Sequence, residues 1–216
     1  MAMHIVEHML SFIYRALAAL GSAEASNVLG CMYEEGKGVK KNVRLARWYF
    51  SRSANKGSRY GQANLGRMYE EGKGGEQDLT LAIKWYNEAA NQGHLWSLNT
   101  MGCFYSEGVA LERNYEKSFS YFKRAAEHGY AWAQLNLGWA FYNGNGVNRN
   151  IIEAAKWYSL AADQNLPEAQ YNLGLLLVNG ADIPCDYPKA CLLFEKALAS
   201  GIEEARKELD KIKNHI

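Results

Sequence analysis

The amino-acid sequence predicts an all-α protein, a right-handed α/α superhelical solenoid of about eleven short helices. Three observations point there. A 36-residue period runs through the chain without a gap, each period divides into two amphipathic halves, and Asn, Asp or Gly stands at the predicted helix boundaries. One supersecondary unit cannot bury its apolar face alone, so copies of it stack.

Glycine sets the register. Gly30, Gly66, Gly102, Gly138 and Gly174 lie 36 apart, and so do Gly36, Gly72, Gly108, Gly144 and Gly180. A third series is Gly57, Gly93, Gly129, Asn165 and Gly201. Leu29, Leu65, Met101, Leu137 and Leu173 precede the first series, and Tyr33, Tyr69, Tyr105, Phe141 and Leu177 follow it. Later in each period comes a small residue (Ala46, Ala82, Ser118, Ala154, Ala190), then an aromatic pair such as Trp85-Tyr86 or Trp157-Tyr158. A second small column, Ser53, Ala89, Ala125, Ala161 and Ala197, follows. Leu65 and Tyr69 are i and i+4 of one helix, and Ala82, Trp85, Tyr86 and Ala89 form the apolar stripe of another.

Residues 1–21 read as the second helix of an incomplete leading repeat, because Tyr14, Leu17 and Gly21 fall in the columns of Phe50, Ser53 and Gly57. Five helix-turn-helix repeats follow, at 22–57, 58–93, 94–129, 130–165 and 166–201. Their second helices start after Asn42, Asp78, Asn114, Asn150 and Asp186, whose side-chain oxygens accept from free backbone N–H groups. They end at the third glycine series, where Gly and Asn tolerate the left-handed conformation. Pro167 falls in a first helical turn, where its missing N–H costs nothing. Residues 202–216 supply a closing helix with a polar outer face. The Gly30 series lies mid-helix, at about 1 kcal/mol each relative to Ala. Close approach of the second helix, through its alanine columns, is the expected return, with the aromatic pairs filling space between successive repeats.

Lys plus Arg number 24 against 23 Asp plus Glu, a net charge of +1. Such balance lacks the basic excess that neutralises phosphates, so no nucleic-acid partner is expected. No run of eighteen apolar residues occurs, so no membrane insertion is expected. Arg15 interrupts the apolar stretch from Met9 to Leu20, which argues against a cleaved leader. Cys31, Cys103, Cys185 and Cys191 form no metal-ligand spacing and read as free thiols of a reducing, cytoplasmic compartment. A disulfide, and a periplasmic or secreted site, stay open.

The pattern Ala-x-x-x-Leu-Gly-x-x-Tyr-x-x-Gly-x-Gly, then Ala-x-x-Trp-Tyr-x-x-Ala-Ala, resembles the Sel-one-like repeat of the tetratricopeptide-like α-solenoids. It is clearest at Ala133–Gly146 and Ala154–Ala162 and runs from Ala25 to Gly201. The resemblance implies a scaffold or adaptor that binds a protein or peptide on its concave surface, without cofactor and without catalysis. Secreted members often staple each repeat with a cysteine pair, which this chain lacks.

The first helices of such repeats line the concave face, so their non-motif residues are the candidate partner contacts. Tyr60, Trp96, Trp132, Trp139, Tyr142 and Tyr171 would form an aromatic stripe, joined by Arg67, Asn99 and Asn143. Aromatics with a polar tip are common interface anchors, although some of these rings would serve inter-repeat packing instead. Glu34, Glu35, Glu70, Glu71 and Glu107 would form an acidic ridge, or simply solvated helix ends. Lys37, Lys40, Lys41, Arg44 and Arg47 form a basic cluster on the outer side. A sharper reading is a bacterial immunity protein that occupies a cognate toxin. The only catalytic pattern is H-x-x-E-H at His4, Glu7 and His8, which lacks a third metal ligand. A metal-dependent hydrolase is therefore the remotest alternative. A monomer is favoured, with self-association through the aromatic stripe left open.

Overall fold

The computed structural model describes residues 2–180 and 182–213, apart from the side chains of residues 2–5. Among the described residues there are twelve helices and no strand. They are α1 (Ala2–Ala19), α2 (Ala23–Glu35), α3 (Val43–Asn55), α4 (Arg59–Glu70), α5 (Leu79–Asn91), α6 (Leu95–Glu107), α7 (Tyr115–Glu127), α8 (Ala131–Asn143), α9 (Ile151–Asp163), α10 (Pro167–Asn179), α11 (Tyr187–Ala199) and α12 (Glu204–Lys213). The expected count of about eleven falls one short, because leading and closing helices add to two from each repeat. The fold is an all-α solenoid. Helix-by-helix contact divides it into two compact units, Met1–Met101 and Gly102–Ile216, with the boundary inside α6.

Local chemistry explains the boundaries. Each second helix starts on an Asn or Asp whose side chain accepts from the backbone N–H three residues on, at 2.8–3.0 Å. The same five residues donate their own N–H back to the first helix, as Asn42 does to Tyr33 O at 2.8 Å and Asn150 to Phe141 O at 2.8 Å. Each intra-repeat turn is thus locked at both ends. Asn165 adopts φ 61°, as expected for the one non-glycine of its column. Ala110 also adopts a positive φ, 53°, in the column of Gly38, Gly74, Gly146 and Asp182.

The mid-helix glycines do make close contacts, but with a different partner from the one expected. A Cβ on Gly30 would collide with the Phe50 ring, on Gly66 with Tyr86, on Gly138 with Tyr158, and on Gly174 with Phe194. The second ring of each aromatic pair therefore lies on the glycine of its own repeat, not between repeats. The first ring also turns inward, with Tyr49 stacked on Tyr33 at 5.5 Å and Tyr121 on Tyr105 at 5.7 Å. The small columns close the gap to the next repeat instead. A Cβ on Gly61 of α4 would meet Ser53 and Ala54 N of α3. A flat ring needs a glycine beneath it, whereas two backbones approach only over Ser or Ala.

In the first unit Leu29, Phe50, Leu65 and Met68 centre the core; in the second unit Leu137, Tyr158, Leu173 and Phe194 belong to the corresponding buried layer. The four cysteines are free. On α12, Ala205, Leu209 and Ile212 face inward and the charged residues mostly face out.

The starts of the first helices hold a titratable cap. Ser22 and Ser58 accept from Ala25 N and Gly61 N, whereas His94 Nδ1 accepts from Ser97 N at 3.3 Å. Accepting requires neutral imidazole. Burial, then the Arg59 charge, holds the His94 pKa below its ordinary value of 6.5. Below about pH 6.5 the unfolded chain gains a proton that the folded chain refuses. The cap's contribution is therefore complete above that pH and is lost as pH falls. His94→Ser keeps a cap without the titration. Its Tm should fall less between pH 8 and pH 5 than that of wild type, by about 2–4 °C, the shift that about 1 kcal/mol produces in a chain of this size. Parallel pH slopes for the two proteins would refute this.

Candidate protein-interaction face

The candidate contacts lie on first helices, with Glu71 as the C-cap of α4, but they divide by unit and by occupation. In the first unit, Tyr60 stands exposed on the opening turn of α4. Its hydroxyl accepts from Arg59 at 3.0 Å, and its ring meets His94 edge-on at 5.6 Å. Trp96 is half-buried, with its ring edge-on to Tyr86 at 5.3 Å, and Asn99 is half-buried too.

The glutamates of this unit are engaged within the chain. Arg67 donates to both oxygens of Glu34, at 2.8 and 2.6 Å, and to Glu71 at 3.2 Å. Lys73 reaches Glu71 at 2.7 Å and Glu34 at 3.8 Å, and Lys37 pairs with Glu35. Glu70 accepts from the Tyr86 hydroxyl at 2.5 Å. Burial, then that bond, drives the Tyr86 pKa far above its ordinary value. These carboxylates do not form an uncompensated acidic ridge. Glu34 draws its cations from the next repeat, out of reach of a reading along one helix, whereas Glu35 and Glu71 pair within their own repeats.

The basic cluster is partly engaged as well. Arg47 lies over the Tyr69 ring at 4.0 Å and donates to Glu76 O at 3.1 Å. In the H-x-x-E-H segment, the side chain of His4 lies outside the described residues. His8 Nδ1 donates to Gly38 O at 2.6 Å, which fastens α1 to the turn of the first repeat.

The second unit presents the more open surface. Trp132 and Trp139 are 45% and 44% exposed, and Tyr142, Asn143 and Glu107 are exposed too. Asn143 bonds back to Trp139 O at 2.9 Å. Tyr171 is half-buried, its ring 5.8 Å from Phe194. Trp139 stands between two hollows. One, about 210 Å³, is walled by Tyr142, Tyr158, Asn172, Leu175, Leu176 and Asn179. The other, about 340 Å³, is walled by Cys103, Ser106, Glu107, Phe122, Leu135 and Asn136, and it shares Asn172 with the first. Asn136 and Asn172 escaped the sequence reading. They occupy a column one residue before the motif leucine, with Asn64, and a recurring amide inside an apolar helix was the signal.

The Sel1 repeat model matches residues 23–58, 59–94, 97–130, 133–166 and 167–202, which is most of the chain. The chain belongs to the Sel1 repeat family. A protective antigen of uropathogenic Escherichia coli displaying an SLR fold is 33% identical, with a TM-score of 0.86 over 92% of this chain. This chain spans 43% of the length of that antigen. A Sel1 repeat protein from Oxalobacter formigenes is 32% identical, with a TM-score of 0.83 over 90% of this chain and 78% of its own. An immunity protein from Pseudomonas aeruginosa, 22% identical with a TM-score of 0.54 over 88% of this chain and 72% of its own, shares the fold alone. Comparison with the curated proteins gives no match. Sel1 repeat proteins generally mediate protein–protein interaction, and their scaffold is typically non-enzymatic.

In this Sel1 repeat chain the open face combines aromatic and aliphatic surface with two amides. Rings and aliphatic chains offer contact area at low entropy cost, and the amides of Asn136 and Asn172 can orient a polypeptide. Among the described residues no three His, Cys, Asp or Glu side chains are grouped as metal ligands would be, and no helix is long and apolar enough to cross a membrane.

Proposed function

We propose that the chain is a scaffold that holds an extended segment of a partner protein on the first-helix face of its second unit. The observation that carries this reading is the pair of adjoining hollows that share Trp139 and Asn172. A dry cavity of about 150 Å³ accepts a benzene ring, so the smaller hollow, about 210 Å³, accommodates one bulky apolar side chain. Trp139 packs against that side chain from the dividing ridge. Asn172 offers a donor and an acceptor to the backbone beside it, as main-chain recognition of an extended segment requires. Glu107, at the rim of the larger hollow, favours a basic residue at that end of the segment.

The test is capture from native extract by wild type and by Trp132→Ala plus Trp139→Ala. Both side chains are about half exposed, so the double variant should keep its melt. Hot-spot aromatics cost about 2 kcal/mol or more on truncation, so affinity should fall at least about thirtyfold. Trp48→Ala, exposed on α3 of the first unit, is the control. Undiminished capture by the double variant, or equal loss with Trp48→Ala, would refute the reading.

A further inference from the structure

Helix α1 carries an open apolar face. Val6, Leu10, Ile13 and Leu17 lie along one side of α1, with Met9 beside them and Leu20 in the turn just past its end, each 40–86% exposed. The opposite side is the packed one, where Ser11 and Ala18 are buried and Tyr14 joins the first-unit core. The repeat explains what the open side lacks. Ile13 and Leu17 stand 36 residues before Tyr49 and Ser53, which meet α2 through the Tyr33 ring and the Ala23 carbonyl. In every complete repeat a first helix covers these columns. In α1 the columns hold Leu and Ile where later repeats mostly hold Ala, Ser or an aromatic ring. An apolar surface of that size is not left wet on an ordinary monomer.

We propose that this face pairs two copies of the chain, α1 against α1, antiparallel about a two-fold axis through Ile13. Three features favour a second copy as the occupant. The spacing from Val6 to Leu20 is four, three, four, three, which keeps one seam facing a partner helix. The stripe is close to palindromic about Ile13: Val6 meets Leu20 of the second copy and Leu10 meets Leu17, so the surface is its own complement, as an isologous interface demands. The seam itself carries no charge. Glu7 and Arg15 lie off it, and Arg15 is held by the Tyr33 hydroxyl at 2.8 Å. Burying the stripe in a pair removes at most about 1,200 Å² from water, the lower edge of the range of stable interfaces. This reading is independent of the partner site, which lies in the other unit.

Sedimentation equilibrium of the full chain decides the matter. An interface at the small end of the range binds weakly, so the test is run at high concentration, where wild type should be dimeric at about 100 µM. Leu10→Glu plus Leu17→Glu should sediment as a monomer with unchanged helical circular dichroism. A monomeric wild type, including one that binds only some other protein through this face, overturns the proposal. So does a dimer that survives the double substitution. Should the double variant misfold, Ile13→Cys with a short bismaleimide gives the second arm. It should cross-link to a dimer well above the background of the four native cysteines, and a dimer that fails to cross-link there overturns the two-fold geometry.

Discussion

Replacing Gly102 with leucine is expected to destabilise the protein by about 3 kcal/mol, at the upper end of overpacking costs. A Cβ at this position would lie within 3.0 Å of three ring carbons of Phe122. The Phe122 ring is 3% exposed and has nowhere to swing. Leucine recovers about 1 kcal/mol of helix propensity over glycine, which offsets only part of the collision. Gly102→Ala alone should cost less, and adding Phe122→Leu should restore part of that loss. Such a rescue measures the coupling between the two positions. Thermal and urea unfolding, followed with far-UV and tryptophan signals, report the result, since two units need not unfold together. A Gly102→Leu protein with the wild-type Tm would end the ring-on-glycine account of the repeat.

Arg67→Ala is expected to cost about 1.5–3 kcal/mol, the range for hydrogen bonds to charged groups that are largely shielded from water. Arg67 and Glu34 are 21% and 18% exposed, and their bidentate contact ties α4 to α2 across the first two repeats. Removing the guanidinium leaves Glu34, among the described residues, only the Lys73 ammonium, at 3.8 Å. Arg67→Lys keeps the charge but loses the fork, so it should recover about half of the loss. Added salt should narrow the gap between wild type and variant only slightly, because the pair is mostly shielded. An unchanged urea midpoint for Arg67→Ala would show that the network is decoration. The bond also bears on function, because a partner that recruited Arg67 would first have to break it.

The same residues show what was legible beforehand. Helix boundaries were, because a left-handed φ or a capping oxygen is a property of one residue and its neighbours. Gly57, Asn165 and Asn42 carry their conformations with them wherever they occur. The partners of the ring columns were not. Periodicity says that Phe50 recurs as Tyr86 and Phe122, yet whether that ring lies on its own repeat or the next depends on how closely two helix axes approach. The acidic ridge misled for a related reason, since Glu34 and Arg67 meet across 33 residues of chain.

At the candidate face the split is similar. Trp132, Trp139 and Tyr142 were found from the helical phase and are exposed, while Trp96 and Tyr171 shared that phase and turned partly inward. Asn172 attracted no notice, because one amide in a helix signifies little until two hollows open beside it.

By itself, then, the order of residues determined the repeat, its length, its caps and its all-α class, all of which follow from short-range chemistry repeated in phase. Only the tertiary structure decided which glutamates are neutralised, which rings stay wet, and that α1 presents one apolar side outward. Those outcomes depend on side chains that meet through space from different helices, and no local preference encodes such meetings.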